Sequence, residues 1–293
     1  MHMNVKDGDL VLEIGSGNNP NPRSDVLCDR YLRDNRERAG GFSIVIDRPF
    51  VVCDGYRLPF ADKAFDYVIC SHVFEHMDDP IAFAREVTRV AKAGSIEVPS
   101  AISERVFGWG FHHWYGELDK GILAFTRKRE GEQFSGFFHR MIARSIWFRR
   151  FFEEHEGEWY TRLEWQGQIP LRVVARNLGT DQIKALDEGA WELLVNAKPE
   201  TLFDLFFGIR FFLRRGRRKL VKTMRNVSWR LGKLANKCAV IELLTRLCVC
   251  PRCHGRLGIH GGKMECLACK MDFPMDGVIP ILLLPQERKK GFR

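Results

Sequence analysis

From residue 9 to about 100 this 293-residue chain alternates short apolar runs with polar turns, and that alternation constrains the fold more than any other feature. Leu10 to Ile14, Val26 to Cys28, Phe50 to Cys53, Phe65 to Cys70 and Ser95 to Val98 read as strands of a mostly parallel α/β sheet, buried on both faces. Pro80 to Ala91 carries Ile81, Phe83, Val87 and Val90 at helical spacing, with Asp78 or Asp79 as its cap and Gly94 as its stop. Residues 100–132 form an insertion rich in Trp, Tyr, Phe and His, and Gln133 to His155 reads as an amphipathic helix. Trp159 to Trp165 and Ile169 to Ala175 flank a Gln-Gly-Gln turn and predict a closing antiparallel hairpin. The resulting division is one α/β domain over 1–176, a helical connector over 177–237 and a small cysteine-containing module over 238–293.

Val11-Leu12-Glu13-Ile14-Gly15-Ser16-Gly17-Asn18-Asn19-Pro20 is an apolar strand running into a glycine turn. Glycines there let a ligand approach the backbone, and the crevice outside the carboxyl ends of such strands is where α/β sheets bind ligands. A glycine turn after a strand is also a common plain connection, so the rest of the series matters. Asp29 ends the second strand candidate and Cys53-Asp54 the third; Arg57-Leu58-Pro59-Phe60 and Ala64 to His76 follow.

Glu13-x-Gly15-x-Gly17, Asp54 with Leu58-Pro59-Phe60, Phe65-Asp66-Tyr67-Val68 and Phe74-Glu75-His76 give residues 9–100 a resemblance to the class I S-adenosylmethionine-dependent methyltransferases, in particular the type 11 group. The resemblance implies a Rossmann-like domain in which Glu13 orients the glycine loop and the methionine end of the cofactor. By the same resemblance Gly15 and Gly17 contact S-adenosylmethionine, Asp29 binds its ribose, Asp54 holds the adenine amino group, and His72 lies near the transferred methyl. Ser16, Asn19, Gly55 and Ser71 complete the expected cofactor-binding set. Two departures stand out. Asn19 replaces the third glycine of the family loop, and only seven residues separate Gly17 from Asp25, with Pro20 and Pro22 among them. So short a span with two prolines cannot hold a regular three-turn helix, which leaves Asn18, Asn19 and Arg23 as substitute donors.

Methyl transfer from a sulfonium is an in-line displacement, so the protein must align the nucleophile and, for a hydroxyl, remove its proton. Cys70-Ser71-His72-Val73 stands where amino-adenine and similar nucleic-acid enzymes carry Asn/Asp-Pro-Pro-Tyr/Phe, which favours an oxygen acceptor. His72, His112 and His113 are the candidate bases, since histidine titrates near working pH. Each has a plainer reading: His72 and His76 can cap or pack the next helix, and His112-His113-Trp114-Tyr115 can be the core of the insertion. Trp109, Trp114 and Tyr115 suit stacking on a sugar or a base equally.

Cys250-Pro251-Arg252-Cys253 and Cys266-Leu267-Ala268-Cys269, twelve residues apart, supply four thiolates in two knuckles, the donor set of structural Zn2+. Four protein ligands leave no open position, so this metal is not the catalyst. Leu247 to Leu284 also resembles the small zinc-ribbon activator proteins of tRNA, rRNA and release-factor methyltransferases, here fused to the C-terminus of one. That resemblance implies docking on the catalytic domain or presentation of substrate; plain fold stabilisation is the alternative. Cys28, Cys53 and Cys70 read as buried thiols and Cys238 and Cys248 as spare ones, all suited to a reducing, cytoplasmic compartment.

The net charge is +9, yet Leu205 to Ile241 holds eleven Lys/Arg and no Asp or Glu, which leaves −2 for the rest of the chain. A uniformly basic, nucleic-acid-coating protein is thereby disfavoured. Within 202–237, Phe203, Phe206, Phe207, Phe211 and Phe212 precede a basic stretch with Leu220, Met224, Val227, Leu231 and Leu234 on one helical face. Aromatic bulk beside a cationic helix suits an in-plane anchor on an anionic membrane; packing on the catalytic domain and RNA binding compete with it. No run reaches the length of a membrane span, and the N-terminus has no apolar signal core. The expected function is O-methylation of a small-molecule, saccharide or lipid-linked glycan hydroxyl at the inner membrane face. An RNA methyltransferase and a non-catalytic cofactor-binding scaffold are the other readings.

Overall fold

A computed structural model describes residues 3–34, 43–128, 138, 141–142, 145–174, 178, 180–195, 213, 217, 224 and 238–291. The central sheet is built from β1 (Val11–Ile14), β2 (Val26–Asp29), β3 (Phe50–Cys53), β4 (Phe65–Ser71), β5 (Ala91–Pro99) and β8 (Tyr160–Gln166), joined by β13 (Met275–Asp276) and β14 (Ile279–Leu282). Their order is β13-β14-β3-β2-β1-β4-β5-β8. The six strands from β14 to β5 pair in parallel; β8 closes one edge antiparallel to β5 and β13 the other antiparallel to β14. All residues of β1 and β3 are buried, as expected of strands covered on both faces. The result is a Rossmann-like α/β fold with a mostly parallel sheet.

Helix α1 (Pro80–Val90) starts where Asp79 accepts from the Ile81 and Ala82 amides and Pro80 occupies the first turn. Phe83, Ala84, Val87 and Val90 form its buried face. The helix ends at Val90 and β5 begins at once, so Gly94 does not stop the helix as its position suggested. Gly94 lies inside β5, where a Cβ would sit 2.5 Å from both the Val68 side chain and the Val68 carbonyl oxygen, and only a hydrogen fits.

The two strands expected to form a closing hairpin are both present but part company. Tyr160–Gln166 pairs with β5, whereas β9 (Leu171–Val174) pairs in parallel with β7 (Ile122–Arg127). With β6 (Trp114–Asp119) these two make a separate three-stranded sheet, to which the aromatic insertion gives β6 and β7 after a short helix over Ala101–Phe107. Of the helix expected over 133–155, residues 138, 141–142 and Ile146–Glu154 are described as helical, the last stretch starting afresh at its cap Ser145. The segment 202–237 lies outside the described residues apart from 213, 217 and 224.

The cysteine module is continuous with the main core. Its strands β10 (Leu257–His260), β11 (Lys263–Cys266) and β12 (Asp272–Phe273) form a small sheet of their own. Beyond them β14 docks on β3 with Ile281 opposite Val52 and Leu282 opposite Cys53. Val240, Leu244, Cys248, Met264, Phe273 and Leu282 pack in one cluster with Leu12, Val51, Phe60 and Phe83 of the α/β part. Backbone bonds from Val249 to the Pro59 carbonyl (2.9 Å) and from Ala61 to the Leu247 carbonyl (3.0 Å) tie the two parts together.

Candidate cofactor and acceptor site

The strand order reverses between β1 and β4: the chain runs outward through β2 and β3, then returns to add β4 and β5 on the other side. At such a switch point the connections leave in opposite directions and open a crevice beyond the strand ends. The glycine turn after β1 and the Ser71-His72 end of β4 face each other there. Gly15 has φ +68°, and a Cβ on it would come within 2.4 Å of the Val73 Cγ2 atom. The turn is held from below by Gly15 N–H donating to the Cys28 carbonyl at 2.8 Å. Asp29, at the end of β2, accepts from the Gly17 amide at 3.3 Å and from the Tyr31 amide at 3.0 Å.

No helix forms between Ile14 and Val26, as the two prolines predict. Buried Glu13 stands in for it: its carboxylate accepts from the Asn21 amide at 2.8 Å and the Ser24 hydroxyl at 2.5 Å. Arg48 donates to the carbonyls of Asn21, at 2.8 Å, and of Ser24. Burial pushes the Glu13 carboxyl up to about 7 in spite of these hydrogen bonds. Arg23 donates to the Lys6 carbonyl at 2.6 Å. Asn19 is exposed at the loop's tip.

Two features of this crevice fit a cofactor with a sulfonium, a ribose and an adenine. The Ser16 hydroxyl is buried at the base of the turn with no hydrogen-bond partner among the described residues. At Gly17 a Cβ would meet only the Gly15 carbonyl oxygen, at 3.8 Å, so the backbone there is open to a ligand. Asp54, just after β3, accepts from the Tyr56 amide at 2.9 Å and pairs with Arg30 through its other oxygen. Gly55 beside it lies against Met77 and Phe83, where a Cβ would be 2.9 Å from the Met77 Cε.

The three candidate histidines are not equivalent. His72, at φ +57°, ends β4 with its amide donating to the Glu97 carbonyl. Its Nδ1 lies 3.3 Å from Glu75 and its Nε2 3.5 Å from Glu97, which Arg162 also holds at 2.6 Å. Burial disfavours the imidazolium, yet the two carboxylates outweigh it and lift His72 to about 10. Both ring nitrogens of His72 are thus engaged by carboxylates. His112 is buried with Nδ1 on Glu104, and Glu104, fully buried, is also bonded by Lys128 at 2.5 Å. His113 faces the surface, 3.8 Å from Asp78.

Glu97 and Glu104 escaped sequence reading because a lone acid within a strand or short helix is a pattern shared by solvated faces. Glu75-His76 after the fourth strand was the one visible signal. His76 is stacked on Phe111 with ring centroids 5.5 Å apart and meets His112 edge-on at 4.6 Å.

The cysteine module brings all four predicted ligands together. Cys250 and Cys269 sulfurs are 3.7 Å apart, Cys253 and Cys266 sulfurs 3.5 Å, and the four lie within 4.8 Å of one another. A tetrahedron of thiolates about 2.3 Å from Zn2+ has edges of about 3.8 Å, so the donor set fits that ion. The two knuckles repeat each other: His254 and Lys270, each four residues after the first cysteine of its pair, have φ of 57° and 56°.

Residues 27–98 match the methyltransferase domain family. Over 121 residues the chain is 26% identical to malonyl-(acyl-carrier protein) O-methyltransferase of Marinomonas sp. (strain MWYL1), covering 38% of this chain and 45% of that protein. Over 99 residues it is 36% identical to an uncharacterized methyltransferase of Mycobacterium sp. (strain KMS), covering 32% of this chain and 38% of that one. The chain thus spans less than half the length of these curated relatives. Among solved structures, the YcgJ protein of Bacillus subtilis aligns at 23% identity with a TM-score of 0.25, over 31% of this chain and 44% of that one. A complex of the Haloferax volcanii Trm112 methyltransferase activator with a methyltransferase aligns at 23% identity and a TM-score of 0.26, over 33% and 48%. Residues 27–98 thus match a methyltransferase domain model and lie within the Rossmann-like α/β sheet.

Proposed function

We propose that this protein is an S-adenosylmethionine-dependent methyltransferase acting on a hydroxyl oxygen, with the cofactor in the β1/β4 crevice. The observation that carries the reading is the glycine turn at the switch point, with the unpartnered Ser16 hydroxyl at its base and the acids Asp29 and Asp54 ending β2 and β3. Gly15 and Gly17 would give backbone access, Ser16 a hydrogen bond, Asp29 the ribose contact and Asp54 the adenine contact. When bound, the cofactor supplies an electrophilic methyl on a sulfonium. The chain's own work is alignment: the Val73–Gly15 contact fixes the end of β4 against the turn, and Glu13 with Arg48 holds the loop that replaces the missing helix. Ser71-His72 in place of an Asn/Asp-Pro-Pro-Tyr/Phe signature supports oxygen over amino-adenine nitrogen.

A saccharide or lipid-linked glycan is the acceptor class we favour. The basic, phenylalanine-rich 202–237 segment supports an anionic membrane face as the workplace, and among the described residues no helix is long and apolar enough to cross a membrane. We also assign one structural Zn2+ to Cys250, Cys253, Cys266 and Cys269. Through β14 that ribbon braces β3, whose next residue is Asp54. Methyl-labelled cofactor incubated with fractionated cell extract tests the acceptor. Label in a membrane or glycolipid fraction supports the reading, and label confined to RNA overturns it.

A further inference from the structure

A second cluster of ligating side chains lies beside His72, whose Nδ1 is 3.3 Å from one of its members, Glu75. Glu75 and His76 belong to the 3-10 turn Phe74–His76 directly after β4, and His112 reaches them from the loop before β6. One ligand atom from each lies within 4.8 Å of the other two. Glu75 is 1% exposed, and its Oε1 faces His72 while its Oε2 has no hydrogen-bond partner among the described residues. A buried carboxylate oxygen left bare is costly, which points to a missing cation.

His112 is oriented as metal-bound imidazoles are. Its Nδ1 is engaged by fully buried Glu104, itself anchored by Lys128, so the ring's Nε2 is left to act as the donor atom. Trp109 stacks on His112 at 5.0 Å and Phe111 on His76 at 5.5 Å, which fixes both rings and keeps the cluster apolar at its rim. The His113 amide donates to the Glu75 carbonyl at 2.8 Å, so the loop carrying His112 is tied to the turn carrying the other two groups.

We propose that Glu75, His76 and His112 bind one divalent first-row transition metal ion, distinct from the ribbon zinc, and that its open positions take the acceptor's oxygen. Two imidazoles and one carboxylate suit Mn2+, Fe2+, Co2+ or Zn2+ and leave coordination sites for exogenous oxygen. An acceptor hydroxyl coordinated there gives up its proton to water, the O–H electron pair staying on oxygen, because the cation stabilises the alkoxide. The acceptor role rests on the methyltransferase reading; the metal site itself does not.

The test uses the full chain with its ribbon loaded with zinc and Mn2+ as the probe, since manganese avoids thiolates. Electron paramagnetic resonance titration is expected to show one bound Mn2+ per chain, with nitrogen modulation in the pulsed spectrum from directly coordinated imidazole. Glu75→Gln and His76→Ala are expected to weaken it at least tenfold. Glu104→Gln is expected to weaken it about 10–100-fold through the ring it orients. Thermal unfolding of each variant reports folding, and the nitrogen signal of the unmutated protein stands even if a variant fails to fold. No bound Mn2+, a spectrum without nitrogen modulation, or affinity unchanged in folded Glu75→Gln overturns the proposal. Calorimetric titration with S-adenosylmethionine in the same samples distinguishes that failure from failure of the methyltransferase reading.

Discussion

Gly15→Ala is the substitution whose cost the structure defines most directly. Two terms add. Alanine at φ +68° sits in the left-handed region, which costs a non-glycine residue about 1–2 kcal/mol. Its Cβ would also lie 2.4 Å from the Val73 Cγ2, a collision with a short, β-branched side chain that cannot swing aside. Overpacking of this kind costs about 1–3 kcal/mol, so the variant is expected to lose about 2–5 kcal/mol. Urea unfolding followed by tryptophan fluorescence measures it. The decisive arm is the double variant Gly15→Ala/Val73→Ala, which keeps the strain but removes the collision. It is expected to be more stable than Gly15→Ala alone, by about 1–3 kcal/mol before the loss of the valine methyls is subtracted. Additive destabilisation in the double variant, or a single-variant cost under about 0.5 kcal/mol, would show that the turn and β4 do not meet as described and refute the reasoning.

Three further outcomes follow from the same geometry. Glu13 titrates near 7 when folded against an ordinary 4.5, so between those values the native state holds more proton than the unfolded chain; stability therefore falls as pH rises from about 4.5 through 7. The 2.5-unit gap corresponds to about 3 kcal/mol, and Glu13→Gln should match the parent at pH 4 and exceed it at pH 8 in denaturant titrations. Leu282→Ala, at a fully buried ribbon-strand position, should cost about 2–4 kcal/mol in the global unfolding transition; loss confined to a separate, lesser transition would mean the ribbon does not share the main core. Metal analysis should find one Zn2+ retained per chain by the cysteines, and Cys266→Ser should lose it and lower the melting temperature of the whole molecule.

Much of this architecture is visible in the chain because the parallel strands are wrapped on both faces and so read as unbroken apolar runs; Val11–Ile14 and Phe50–Cys53 are found where their composition puts them. The cysteine ligands are equally legible, since a knuckle is a local turn. What stays hidden depends on pairing between distant segments. Ile279–Leu282 has the look of a ribbon's own core strand, and nothing local says that it adds to a sheet whose partner is Phe50–Cys53. Gly94 resembles a helix stop because the contact that requires it, with Val68 across two strands, is tertiary. Glu104 carries no signal of its own in the sequence, because its partners Lys128 and His112 reach it only through the fold. Nothing local says that Glu97, from the next strand, joins Glu75 at the His72 ring.

The central claim is that the crevice between β1 and β4 holds S-adenosylmethionine, and calorimetric titration of the full chain with that compound tests it most directly. The account predicts saturable one-to-one binding that Asp54→Ala weakens by about 10–100-fold, the worth of a hydrogen bond to a buried charged group. Absence of binding, or binding unchanged in folded Asp54→Ala, would contradict it.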